Sequence, residues 1–191
     1  MTIDSAFTTF PTLTTDRLLL RQIRPDDAGA LFSILSDEEV MKFYGSAPHR
    51  SLDDSHEAIK RALSLYAQRK YIRWVITLQG EDTLIGSCGL HHFDEGFHRA
   101  EVGYELHREF WGRGIASEAV SAVLTYGFSE LELHRIEALI DIANDRSKGL
   151  LLKLGFTYEG NLRQRYYFDG HFEDEYYFGL LRDEWQKQKR A

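Results

Sequence analysis

Hydrophobic positions recur along this chain in two alternating rhythms. Arg17 to Ile23, "RLLLRQI", reads as a first strand. Pro25-Asp26-Asp27 then opens a helix, because proline and acids suit a first turn. Ala28, Leu31, Phe32 and Leu35 give it one apolar face at i, i+3, i+4, i+7. A second helix follows Asp53 and Asp54, with Ile59, Ala62, Leu63 and Tyr66 on its face. Three strand-like runs come next: "IRWVITL" from Ile72, "TLIGSCGL" from Thr83 and "RAEVGYEL" from Arg99. Turn signals at Gly80-Glu81-Asp82 and Asp94-Glu95-Gly96 make them an antiparallel meander. Ala116, Val120, Val123, Leu124 and Gly127 then predict a helix to about Leu131. "RIEALIDI" from Arg135 alternates as a strand, and Ser147, Leu150, Leu151 and Leu154 mark a short helix that Gly155 stops. Asp169-Gly170 between "RYYF" and "EYYFGLL" signals a hairpin. The final "RDEWQKQKRA" reads as a solvated helical end. The order βααβββαβαββ predicts an α/β fold of the α+β kind. Its mixed sheet runs as an antiparallel meander, then βαβ, then a C-terminal hairpin.

Composition narrows the function classes. A chain of 191 residues fits one domain, and no repeat, linker or internal boundary stands out. Apolar residues at 43% and charged residues at 28% exclude a disordered or fibrous chain. The 23 basic and 30 acidic residues leave a net charge of −7, which argues against nucleic-acid binding by phosphate neutralisation. A cationic substrate stays open. The one cysteine, Cys88, excludes an intramolecular disulfide and a thiolate zinc cluster, and its apolar run makes it a packed core residue rather than a nucleophile. No segment has the ~20 apolar residues that span a membrane, and the start lacks signal-peptide character, so a cytoplasmic protein is expected. His91-His92, with His98 and His107 nearby, lack a carboxylate at helical i+4 spacing and read as solvated hairpin histidines; no metal site is expected. The aromatic tail reads as cross-strand packing, with the lining of an acceptor pocket as the alternative.

The stretch richest in chemistry is Phe110 to Ala119, "FWGRGIASEA", between a strand and a helix. Gly112 and Gly114 allow close backbone approach to a ligand. The helix start offers unpaired N–H groups and the positive dipole end, which suits a pyrophosphate, and Arg108 and Arg113 could add charge. A plain strand-to-helix turn would also need glycine. A Rossmann site fits poorly, since Ser117 stands where its third glycine belongs and a meander precedes the motif. A P-loop is excluded, because no Gly-Lys-Ser/Thr follows.

"GYEL" from Gly103, "WGRGIASEA" from Trp111 and "NDRSKGLLLKLGF" from Asn144 together resemble the GNAT superfamily of N-acetyltransferases. The similarity is closest to the branch whose bacterial members acetylate the N-termini of ribosomal proteins. It covers residues 14–182, which would form the acetyltransferase domain between an extension at 1–13 and a tail at 183–191. The resemblance implies a GNAT-type fold and acetyl-CoA as donor, with no metal. The implied pyrophosphate contacts are Trp111, Gly112, Arg113, Gly114, Ile115, Ala116 and Ser117, with Trp111 replacing the usual Arg or Gln. The pantetheine arm would pair with the end of the fourth predicted strand, at Tyr104, Glu105 and Leu106. The thioester carbonyl would point at N–H groups near a bulge in that strand.

By the same resemblance Asn144 contacts the pantetheine arm or substrate, while its own chemistry suits a helix N-cap. Ser147 lies on a face shared with leucines; it either bonds its own helix backbone or, as the resemblance implies, protonates the departing thiolate. Many GNAT members place an acidic tyrosine four residues later, where this chain has Leu151. A thiol of pKa near ~8.5 still leaves well unaided. Glu101 stands where several members carry a general base. Glu105, four residues on, is next to the supposed acyl site, and an exposed strand acid is its alternative reading. The closest branch has a base glutamate where this chain has Tyr166, which could orient a water or bind substrate instead.

An α-amine of pKa near ~8 is about a tenth neutral at pH 7, whereas a lysine near ~10.4 is neutral by a few parts in ten thousand, so an N-terminal acceptor asks less of a base. The resemblance therefore implies transfer from acetyl-CoA to a protein or peptide N-terminal α-amine, by direct attack in a ternary complex. The alternatives are a small amine such as a polyamine or aminoglycoside, a non-catalytic acyl-CoA-binding module, and a dinucleotide-dependent oxidoreductase. Partners other than these substrates are not expected beyond a second copy of the chain, as monomer or homodimer.

Overall fold

The structure is a computed structural model that describes residues 6–94, 96 and 98–190. Eight strands form one sheet: β1 Leu13–Thr14, β2 Leu18–Arg21, β3 Tyr71–Leu78, β4 Gly86–Asp94, β5 Arg99–Leu106, β6 Arg135–Asp141, β7 Thr157–Phe168 and β8 His171–Leu181. Their order is β1-β2-β3-β4-β5-β6-β8-β7. Every neighbouring pair is antiparallel except β5 and β6, which run parallel. The helices are α1 Ala28–Leu35, α2 Glu38–Met41, α3 Leu52–Ala67, α4 Ile115–Ser129, α5 Asp145–Lys153 and α6 Arg182–Arg190. None of the described helices is long and apolar enough to cross a membrane.

Alternation along the strands splits the interior in two. Trp74 joins the larger core with Leu90, Val102, Val120 and Leu124, while its neighbour Val75 joins Leu31, Ile34 and Ile59. Successive residues of a strand point to opposite faces, so α4 and α5 cover one face and α1 and α3 the other. The meander, the βαβ passage and the hairpin stand as the periodicity predicts. At the hairpin, Asp169 and Gly170 both take positive φ, of 47° and 84°, which is what a two-residue turn of this hand requires.

Several details differ from the sequence reading. The run from Thr83 enters the sheet only at Gly86 and continues to Asp94. The predicted turn at Asp94-Glu95-Gly96 lies partly outside the described residues. β7 begins at Thr157, well before "RYYF", and two register shifts bend it against β8. The described part of the extension packs on the domain: Pro11 accepts a hydrogen bond from Trp74 Nε1 at 2.6 Å, and Ala6 accepts one from the Tyr66 hydroxyl at 2.9 Å. The terminal helix is not solvated on all sides. Trp185 is 5% exposed and its ring lies 6.4 Å from that of Phe128. One aromatic in a polar helix anchors it to the core, a signal too sparse for periodicity to reveal. Trp185→Ala is expected to cost about 3–5 kcal/mol, the range for a buried Trp truncated to Ala, as read from urea unfolding midpoints.

Candidate active site

The parallel pair β5 and β6 stays together for three residues only, from Arg99 opposite Arg135 to Glu101 opposite Glu137. β5 then remains with β4 as far as Leu106 opposite Gly86, while β6 remains with β8 as far as Asp141 opposite Glu175. A wedge opens between them. The His107 N–H donates to the Ile85 carbonyl at 2.8 Å, which sets the phase of the ladder. By that phase Glu101, Gly103 and Glu105 exchange backbone bonds with β4, the Val102 N–H closes the parallel ladder on Glu137, and Tyr104 and Leu106 turn theirs into the wedge. The Leu106 carbonyl accepts from Trp111 Nε1 at 2.8 Å. The rest of this edge is free to pair with an extended ligand. The expected bulge near this point is not there: β4 and β5 hold one register from Gly86 to His91, and the irregularity falls between His91 and Asp94.

The glycine bend lies just beyond β5. Gly112 and Gly114 have φ of 72° and 76°, and Gly114 is the N-cap of α4. A Cβ on Gly112 would meet no protein atom within 4 Å, so the left-handed backbone is what demands glycine there. Glu118 N–H takes the Gly114 carbonyl at 3.1 Å. The N–H groups of Ile115, Ala116 and Ser117 are left without an intrahelical partner. Arg17 braces the bend, donating to the Arg113 carbonyl at 3.0 Å and pairing with Glu118 at 2.6 Å. The Arg146 guanidinium lies 4.3 Å from the centre of the Trp111 ring, and Arg113 packs 5.4 Å from that of Phe110. Trp111 thus ties the bend to β5 and carries a cation beside it. An anion cradle next to a free strand edge fits a coenzyme with a diphosphate and an amide-bearing arm.

The wedge has different chemistry on its two faces. Toward α5, the Tyr104 hydroxyl lies 2.5 Å from Ser147 Oγ. Asn144 Oδ1 accepts the Ser147 N–H at 3.0 Å, the capping role its chemistry suits, and Ser147 is 8% exposed. Burial pushes the Tyr104 phenol up to about 12, against the pull of Ser147, so it stays protonated. Leu151 is fully buried.

Toward α1 and α3 the groups are carboxylates. Glu101 lies 3.1 Å from His92 Nδ1 and 3.8 Å from His91 Nδ1. His91 is opposite Glu101 in register, and His92, at φ 49°, sits where the register breaks. Helical spacing could not foresee this cross-strand grouping, in which one ligand-type atom from each lies within 4.8 Å of the others. Burial holds His91 down to about 3, so its ring is neutral at pH 7. The Tyr166 hydroxyl donates to Asp141 Oδ2 at 2.9 Å. Burial and that carboxylate push the phenol well above its ordinary range, which leaves it no use as a base. Asp141, at the end of β6, was not singled out by the sequence reading; nor was Glu175 opposite it, whose carboxyl is pushed up by burial and by Glu101 and Asp141.

Glu105 stands apart from the expected coenzyme contacts. It is 8% exposed, bonds Ser87 and pairs with Arg73, which also donates to the Tyr71 hydroxyl at 2.6 Å. It is not an exposed strand acid, and its backbone bonds β4 rather than the open edge where the coenzyme arm was expected; burial against Arg73 and Ser87 takes up its side chain. Cys88 is fully buried with its thiol pushed up to about 12, so it offers no thiolate near pH 7.

The sequence profile of the acetyltransferase (GNAT) domain matches residues 17–157. The chain belongs to the GNAT family. Its fold is that of GNAT proteins: a solved GNAT acetyltransferase from Bacillus anthracis superposes with a TM-score of 0.82 at 29% identity, covering 91% of this chain and all of that one. An "Uncharacterized N-acetyltransferase YoaA" of Bacillus subtilis is 42% identical over 173 residues, 91% of this chain and 98% of the relative. A "Putative ribosomal N-acetyltransferase YdaF" of the same organism is 30% identical over 178 residues, 91% of this chain and 96% of the relative. As a GNAT enzyme the protein is an acetyl-CoA-dependent N-acetyltransferase. Valine at position 114 would need roughly 1–3 kcal/mol of backbone strain to keep φ at 76°. Gly114→Val is therefore expected to open the bend and raise the Kd for CoA by about tenfold or more in calorimetry.

Proposed function

We propose that this GNAT enzyme acetylates the α-amine of a peptide or protein N-terminus by direct attack within a ternary complex. The observation that carries the reading is the division of the wedge. Carboxylates line the α1/α3 face, a hydroxyl pair lines the α5 face, and Cys88 is closed off as a carrier of the acyl group. Acetyl-CoA supplies an activated thioester. The N–H groups of Ile115 to Ser117 would hold its diphosphate, and the free edge of β5 would orient its arm.

An amine arriving from the α1/α3 side meets Glu101 and Asp141. Asp141 Oδ2 is held by Tyr166, so where the branch carries a base glutamate this chain has a residue that positions Asp141. A carboxylate suffices for an α-amine, which sheds its proton near neutral pH far more readily than a lysine does. On the other side Ser147 Oγ holds a proton toward the leaving sulfur, and the Tyr104 hydroxyl refills it. The hydroxyl pair supplies what Leu151 does not, which favours a catalyst over a non-catalytic binding module. The description of the B. subtilis relative YdaF as a putative ribosomal N-acetyltransferase supports a protein acceptor.

The same carboxylates would also attract a polyamine, and a transfer assay separates the two. Peptides with free N-termini should gain one acetyl group at the α-amine by mass spectrometry, with kcat/KM at least about tenfold above that for spermidine, a difference of ~1.4 kcal/mol in transition-state binding. Faster turnover of spermidine than of every peptide would overturn the reading. Ser147→Ala should lower kcat by about a hundredfold, the low end for general acid catalysis, and Tyr104→Phe should lower it less, both with KM for acetyl-CoA in place.

A further inference from the structure

A cavity of about 280 Å³ opens on the α1/α3 face of the sheet. Leu31 and Leu35 of α1 and Ala58, Ala62 and Leu65 of α3 form its walls, and Val75 continues them on β3. Its floor is the Arg73–Glu105–Ser87 network. Glu105 stands between Tyr104 and Leu106, whose backbones face the wedge, so the cavity lies against the strand edge that the α-amine reading gives to the coenzyme arm. It lies on the face from which the amine approaches. The volume is just under the roughly 300–1,000 Å³ of sites that hold a whole small-molecule ligand, which suits one side chain.

Charge narrows the occupant. The charged residues of the lining are Arg61, Arg73 and Glu105, two guanidiniums against one carboxylate. Glu105 is already paired with Arg73. His49, also in the lining, bonds Ser55 Oγ at 2.8 Å and is held below its usual range by burial, so it brings no charge at pH 7. An ammonium or guanidinium group entering this space would lose water and meet net positive charge. An apolar chain would meet aliphatic walls and a neutralised floor.

We propose that this cavity holds the side chain of the acceptor's first residue and selects an uncharged apolar one, of methionine or leucine size, over a small or cationic one. The inference rests on the α-amine reading and deepens it. The carboxylates of the wedge handle the amine itself, and the cavity sets which N-terminus is presented.

The test uses the full chain, acetyl-CoA and peptides that differ only in their first residue: Met, Leu, Gly or Lys. The kcat/KM for Met and Leu peptides should exceed that for the Gly peptide by at least about tenfold, the scale on which apolar pockets discriminate. The Lys peptide should rank with or below the Gly peptide. Ala62→Trp fills the cavity from α3 and should reduce the Met-to-Gly ratio toward one. Ala58→Phe, entering from one turn earlier, repeats the test should the Ala62→Trp variant fail to fold by circular dichroism. Rates indifferent to the first residue, or a ratio unmoved in a folded variant, would overturn this inference and leave the α-amine reading standing. No transfer to any peptide would overturn both.

Discussion

The last backbone bond between β5 and β6 joins Val102 to Glu137, and beyond it each strand is held by its outer neighbour. β4 keeps β5 to its last residue, and β8 keeps β6 to Asp141. Buried N–H and C=O groups demand partners, so an opened parallel pair inside a sheet leaves an edge that something must satisfy. The phase of the β4–β5 ladder puts the backbones of Tyr104 and Leu106 on that edge. The bend at Gly112 and Gly114 begins six residues after Leu106, so the cradle for a diphosphate and the edge for an extended arm come from one continuous stretch of chain.

The sheet between these parts acts as a partition. Side chains alternate along β5, so Tyr104 reaches Ser147 on α5 while Glu101 and Glu105 face α1 and α3. The hydroxyl pair and the carboxylates, the proton donor and acceptors of the proposed mechanism, are thereby kept on opposite sides of one strand, about the thickness of the backbone apart. This separation matters chemically. A hydroxyl beside the carboxylates would bond to them instead of holding its proton toward the far side of the wedge, as the Tyr166–Asp141 pair shows. Glu105 illustrates the same constraint differently: buried beside Arg73, it serves the floor of a cavity and is removed from proton transfer.

Much of this was legible in the sequence. Periods of two and of 3.6 residues locate the meander, α4 and the final hairpin, since those elements pack one face against a large core. The glycine bend is legible because positive φ restricts residue choice at Gly112 and Gly114. Partnerships formed by topology were not. Tyr104 and Ser147 are 43 residues apart, and Asp141 and Tyr166 are 25 apart; no local pattern announces either pair. Glu101 and its two histidines meet across a strand pair, where helical spacing rules say nothing. Trp185 is one apolar residue in a charged helix, too little for a pattern, yet its burial anchors α6.

In the proposed complex the free edge of β5 and the turn before α4 receive one ligand together. Amide hydrogen exchange on the protein with and without CoA tests it most directly. Slowed exchange confined chiefly to 102–106 and 112–117 would agree with the account. Unchanged exchange at both segments under saturating CoA, with protection gained elsewhere, would contradict it.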